Sequence, residues 1–149
     1  MTGAQEGDPR RGAVLAVDLG DARIGVAVSD PDRRVAVPVG TIRTGPPQDI
    51  KAVAALVREH AASTVVVGHP VLLSGEPGTR ARHAEAFAAA LRSLMPETEV
   101  VLHDERLSTV QAEGALRDAG VRGRRRRAAV DQTAATVILQ SYLDASRRG

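Results

Sequence analysis

"LAVDLGDARIGVAVSD", Leu15 to Asp30, is the stretch that decides the architecture. An apolar run reaches Asp18, a glycine follows at Gly20, and a second β-type run starts after the "GDAR" turn. Val14–Val17 reads as a short buried strand and Ile24–Ser29 as its hairpin partner. Val35–Thr41 predicts a third strand, and Pro38, which has no N–H to give to a ladder, assigns it to a sheet edge. The three make an antiparallel meander. An acid at the carboxyl end of a central strand sits where open α/β sheets place their sites. Gly20 removes a side chain nearby, so a phosphate or metal could approach the backbone. On this stretch alone, Asp18 is equally an aspartate that opens a turn.

Beyond the meander the pattern changes. "GPPQ" breaks the chain, and Asp49–Ala62 reads as a helix with Ile50, Val53, Ala54, Leu56 and Val57 on its inner side. "TVVVG" is a continuous apolar run, typical of a strand covered on both faces. "HPVLLSGEPG" is a loop. Thr79–Met95 predicts a helix with Ala84, Phe87, Ala88 and Leu91 at helical spacing, stopped by Pro96. Val100–His103 is a further buried strand. "STVQ" has the capping-box pattern, with Leu107 as its staple and a helix from Ser108 to about Ala119. Gly120 fits the C-terminal cap of that helix. "VRGRRRR" reads as a loop and Asp131–Ser146 as the last helix. Strands alternating with helices imply right-handed crossovers and a parallel portion of the sheet. The expected fold is α/β, with a five-stranded mixed sheet in the order 3-2-1-4-5, strand 2 antiparallel, flanked by helices.

Composition narrows the class. A chain of 149 residues with 43% hydrophobic content fits one domain, expected over residues 13–146 after a disordered tail, 1–12. With no cysteine there is neither a disulfide framework nor a thiolate metal site. No long apolar run or signal pattern is present, so the expectation is a soluble, cytoplasmic protein with no membrane partner. Net charge is +2, yet the basic residues are almost all arginine, with Lys51 the lone lysine. Arginine suits bidentate phosphate recognition, although a GC-rich genome also favours it. Phe87 and Tyr142 are the only aromatics, which argues against base-stacking platforms for single strands.

Two more acids join Asp18. In "HDERLST", Asp104 and Glu105 stand where a buried strand runs out beside Arg106, as a metal or acid/base candidate or as a surface salt-bridge cluster. From Asp131, the residues Ala134, Ala135, Ile138, Leu139 and Tyr142 follow at helical spacing. Asp131 therefore shares the core-facing side, where an acid is costly unless it is partnered or reaches a cleft. A plain N-cap is the competing role. Separated acids that converge would repel one another, and a divalent cation resolves the repulsion. Mg²⁺ is usually held by one or two carboxylates plus waters and phosphate oxygens. Two such ions about 4 Å apart serve in-line phosphodiester cleavage.

Arg122, Arg124, Arg125, Arg126 and Arg127 are five arginines in six residues just before Asp131. They are either a solvated run or a binder of nucleic-acid backbone. Arg80 and Arg82 could extend a basic rim. His69 and His103 each follow a β-type run and would share a sheet edge if those strands are parallel neighbours. Either could shuttle protons, although structural roles are commoner.

Four segments in this order resemble a known family: "AVDLGDARIGVAVSD", "VVVGHPVLLSGEPGTRARHAEAF", "HDERLSTVQAEGAL" and "VDQTAATVILQSYL". They are similar to the YqgF/RuvX family across about Ala13 to Leu143. The resemblance implies an RNase H-like fold related to the RuvC junction resolvases. It also implies a nuclease acting in 5′-end maturation of pre-16S rRNA or in Holliday-junction resolution, with Mg²⁺ or Mn²⁺ as cofactor. By motif it assigns Asp18, Glu105 and Asp131 as the catalytic and metal-binding acids. The chain departs from the family pattern at "GHPVLLSG", where an aliphatic residue usually stands between Gly and Pro. In the expected strand order the fifth strand lies two spacings, roughly 10 Å, from the first. Glu105 must then reach back, and Asp104 is the alternate ligand. The expected partner is structured RNA or branched DNA, bound by a monomer or a homodimer. Rival readings are an actin-like or sugar kinase, which would need a second domain, and a non-catalytic RNA-binding assembly factor.

Overall fold

The computed structural model describes residues 12–70, 78–104 and 123–148, with side chains from 134 to 146 in the last segment. Five strands form one sheet: β1 (Ala13–Leu19), β2 (Arg23–Ser29), β3 (Ala36–Arg43), β4 (Ala62–His69) and β5 (Glu99–Asp104). Their order is β3-β2-β1-β4-β5, as expected. β2 runs antiparallel to both β1 and β3, while β4 and β5 continue the sheet in parallel with β1. Helices α1 (Gln48–Glu59), α2 (Thr79–Leu94) and α3 (Gly123–Arg148) cover it. Among the described residues, no helix is long and apolar enough to cross a membrane.

Strand alternation sorts the core into two layers. Leu15, Val17 and Leu19 of β1 face Val53, Ala54 and Val57 of α1 and Phe87, Ala88 and Leu91 of α2. Val14 and Ala16, on the other side, join Ala27, Val66 and α3 residues Ala135, Ile138, Leu139 and Leu143. Both faces of the central strands are covered, which explains why β1 and β4 read as unbroken apolar runs. The apolar spacing expected along α2 and α3 is the spacing that is buried, with Tyr142 partly buried against the α3 layer.

Several boundaries differ from expectation, and three of them change where a named residue lies. The first helix stops at Glu59, and Ala62 opens β4 instead of closing the helix. Ala61 turns the chain in the left-handed region at φ 52°, a place where sequence normally signals with glycine. β1 extends through Leu19, so Asp18 lies inside the strand. The last helix begins at Gly123, so Arg124–Arg127 belong to α3 and not to a loop. Arginine is a good helix former, and the run carries no breaker after Gly123. The expected helix after Ser108, with its Leu107 staple and Gly120 cap, lies outside the described residues.

Pro38 does fall on the edge strand, opposite Ala27. The register shifts between Val26 and Ala27, a bulge that leaves Val39 as the extra residue of β3.

Candidate functional site

Asp18 sits on the central strand, on the face that carries Val14, Ala16 and helix α3. It is 8% exposed. A carboxylate so buried costs free energy unless charge or hydrogen bonds compensate it. Its neighbours across the sheet are small. On β2 it pairs with Gly25. On β4, Val17 pairs with Val67, so Gly68 stands beside Asp18 one step on. Gly68 in turn pairs with His103 of β5. One row on the α3 face therefore reads Gly25, Asp18, Gly68, His103, with both glycines buried.

The end of β1 is held from two sides. The N–H of Gly20 donates to the Arg23 carbonyl at 2.9 Å, closing the hairpin. A Cβ at position 20 would lie 2.6 Å from that oxygen. Gly20 is thus required by the turn, and the glycines that lie directly beside Asp18 across the sheet are Gly25 and Gly68. Arg80, in the first turn of α2, donates from Nη2 to the Leu19 carbonyl at 3.1 Å. This guanidinium ties the helix to the residue that follows Asp18. Thr44 adds a bond from its hydroxyl to the Gly20 carbonyl at 3.1 Å.

The two histidines do lie at the carboxyl ends of parallel neighbouring strands, His69 last in β4 and His103 last but one in β5, but alternation sends them to opposite faces. His69 lies on the α2 side, with Nε2 2.8 Å from a Glu85 carboxylate oxygen. His103 lies on the α3 side, with Nε2 3.1 Å from the Ser141 hydroxyl and its ring edge-on to Tyr142. Burial pushes the His103 pKa down, and the Asp104 carboxylate partly opposes that shift. Asp104 pairs with His69, on the α2 side of the sheet and away from the row of Asp18. This argues against Asp104 as the alternate ligand.

Glu105, next after β5, and Arg122 lie outside the described residues. Asp131 is placed on the backbone of α3, four residues and about one turn ahead of Ala135, which packs on the Asp18 face. Among the described residues, no group of three or more histidines, aspartates and glutamates could hold a metal. What they show is one buried carboxylate flanked on both neighbouring strands by a buried glycine. A carboxylate donor with no side chain on either flanking residue suits a hydrated divalent cation, which brings its own waters and needs few protein oxygens. An apolar cavity of about 350 Å³ between β3 and α1, lined by Val39, Ile42, Ala52 and Leu56 among others, opens on the opposite face and has no titratable group in its wall.

Two features of this site escaped sequence reading. Gly25 and Gly68 interrupt runs of β-branched residues, and an unexplained strand glycine often marks a close approach. The tie from Arg80 to Leu19 joins residues far apart in the chain and left no local signal.

The model of a family described as "RuvX: Holliday junction resolvase" matches residues 12–145. The chain is 53% identical over 146 residues to the "Putative pre-16S rRNA nuclease" of Thermobifida fusca, covering 93% of this chain and 91% of that one. A protein of the same name from Nocardia farcinica is 49% identical over 144 residues, covering 92% and 80%. Among solved structures, RuvC of T. thermophilus in complex with a Holliday junction substrate superposes with a TM-score of 0.60 at 14% identity, covering 93% of this chain and 96% of that one. A second Thermus thermophilus RuvC structure gives 0.55 at 14% identity, covering 91% and 96%. At that identity the likeness concerns the fold, a five-stranded RNase H-like sheet.

Proposed function

The chain belongs to the RuvX family, and from that membership we propose that it is a divalent-metal-dependent endonuclease cleaving structured nucleic acid. The names of its relatives favour pre-16S rRNA as substrate, with a Holliday junction as the other candidate; cleavage at the 5′ end of the precursor, in the cytoplasm, is the form of the reaction proposed. The observation that carries the proposal is Asp18. It is a buried carboxylate on the central strand, beside two glycines, on the face covered by the helix that bears Asp131 and Arg124–Arg127.

Asp18, Glu105 and Asp131 would hold Mg²⁺ or Mn²⁺. When bound, such ions activate a water for in-line attack and neutralise charge on the leaving oxygen. The chain's own contribution is positioning. β1, clamped between β2 and β4, fixes the Asp18 backbone, and Arg80 immobilises the carbonyl after it. A ligand so fixed needs little reorganisation when charge develops on the phosphate. Arg122 and Arg124–Arg127 would draw the phosphate backbone toward the acids through contacts that carry no base sequence.

The test compares wild type with Asp18→Asn on an RNA spanning the 5′ end of the 16S precursor and on a four-way DNA junction, in Mg²⁺, Mn²⁺ or EDTA. Wild type should cleave one of them in metal only, and the variant should lose more than about 100-fold. Outer-shell partners of a metal cost 10- to 100-fold, so a direct ligand should exceed that range. Glu105→Gln and Asp131→Asn should behave alike. Equal cleavage by Asp18→Asn, or cleavage in EDTA, would overturn the mechanism. RNA binding by wild type with no cleavage under any condition would favour an assembly factor instead.

A further inference from the structure

Gly25 and Gly68 stand in strand interiors, where glycine is unfavourable, and neither has a positive φ that would require it. Among the described residues the glycines at positive φ are Gly12, Gly40 and Gly45. Gly25 and Gly68 are in extended backbone that any residue adopts. Gly20 is fixed by its turn, where a Cβ would strike the Arg23 carbonyl. Glycine inside a strand loses packing and conformational entropy, and it recurs where a ligand or another backbone comes close.

The two positions share one property. Each flanks Asp18 on a neighbouring strand and on the same face. Elsewhere on this face the strands present side chains to α3: Val14, Ala16, Ala27 and Val66. Residues directly opposite across a sheet have Cβ atoms about 5 Å apart. A methyl group at either flank would therefore stand within reach of anything bound to the Asp18 carboxylate. Beyond Gly25 the row continues at Thr41 of β3 and beyond Gly68 at His103 of β5, each two strand spacings or about 10 Å from β1.

We infer that Gly25 and Gly68 are spacing residues of the candidate site, which keep both sides of Asp18 clear for the water shell of a divalent cation and for the phosphate oxygen that replaces part of it. This rests on the reading of Asp18 as a metal ligand. Mg²⁺ dehydrates reluctantly and keeps several waters, so the room around its carboxylate matters as much as the carboxylate. The competing explanation is that the glycines make room for α3 itself.

Mn²⁺ titration, read by the electron spin resonance of the free ion, separates these, together with Tm measured in EDTA. Gly68→Ala and Gly25→Ala should each lower Mn²⁺ affinity at least tenfold with Tm in EDTA unchanged or raised, since alanine is better tolerated than glycine in a strand. Ala27→Val, two residues along β2 from Gly25 and on the same face, should do the reverse, lowering Tm and leaving Mn²⁺ affinity intact. If the glycine variants lose Tm and keep their Mn²⁺ affinity, the space belongs to the helix and the inference falls. If both glycine variants bind Mn²⁺ normally while Asp18→Asn does not, the inference also falls and the metal site stands. If Asp18→Asn binds Mn²⁺ as wild type does, the underlying reading of Asp18 is the one overturned.

Discussion

The side-chain amide of Gln140 bonds to the chain entering β3 as a neighbouring strand would. Its Oε1 accepts the Ala36 N–H at 3.0 Å, and its Nε2 donates to the Arg34 carbonyl at 3.0 Å. One amide bridging residues i and i+2 is the pattern of a parallel ladder. The next outward-facing position of β3 is Pro38, which has no N–H. A helix and a proline thus close the edge of a strand in which Val37 and Val39 are 47% and 37% exposed, with Val35 just before it 56% exposed.

Opening that edge should promote association. Gln140→Ala combined with Pro38→Thr restores two free donors beside an apolar row, the arrangement that templates strand pairing. Sedimentation over a concentration series should show more self-association than wild type. Gln140→Ala alone should cost about 1–3 kcal/mol of stability through its missing hydrogen bonds. Unchanged sedimentation of the double variant would show that the edge is blocked by other means.

The two core layers should differ in what they do for the site. Leu91 and Leu139 are both fully buried, one beneath α2 and the other beneath α3. Truncation of either to alanine should cost about 2–5 kcal/mol. Only Leu139→Ala loosens the helix that carries Asp131. At a temperature where both variants remain folded, cleavage should fall further for Leu139→Ala than for Leu91→Ala. Equal activities would disconnect α3 packing from catalysis.

The placement of Arg124–Arg127 on a helix changes what their removal should do. Consecutive helical positions are about 100° apart, so four in a row spread around the axis and one nucleic-acid backbone cannot meet all of them. Every phosphate that a variant no longer neutralises reduces the salt slope by about 0.9 for a B-form duplex. Replacement of all four by alanine should therefore lower the slope by about 1–2 rather than about 4. An unchanged slope would show a solvated run that does not touch the substrate.

Acid stability should report on the β2–β3 connection. Asp30 Oδ1 accepts the N–H groups of both Arg34 and Val35 at 2.8 Å. These bonds, Val35 first, hold its carboxyl below the ordinary value of 3.8. The unfolded chain therefore takes up the proton first, so the stabilisation is present above about pH 3.8 and disappears as pH falls through the folded value. Asp30→Asn keeps the acceptor and should flatten this acid limb of Tm against pH. Asp30→Ala should lower Tm at neutral pH as well. An acid limb identical in Asp30→Asn would assign it to other carboxylates.

The sheet was legible because its signals are local and periodic. The hairpin after Asp18, the edge proline and the apolar stripes of α2 and α3 each follow from spacing within a dozen residues. Boundaries failed where the structure ends an element without the usual residue, as at Ala61, or where a charged run continues a helix, as at Arg124–Arg127. Asp18 was legible as a candidate from its strand. The reason for its setting was not, because the row Gly25, Asp18, Gly68, His103 draws on four strands. Pairing register is a long-range property, and no single stretch of chain contains it.

The Gly20 turn also governs insertions and deletions. Hairpin loops are normally where a chain tolerates a gained or deleted residue. Here the bond from Gly20 to the Arg23 carbonyl fixes the offset between β1 and β2. A one-residue slip along β1 would exchange the faces of Val17 and Asp18, sending the acid into the layer of Phe87 and Leu91 and a valine to the row of glycines. The exposed loop at Asp21 and Ala22 should therefore be far less permissive in length than in composition.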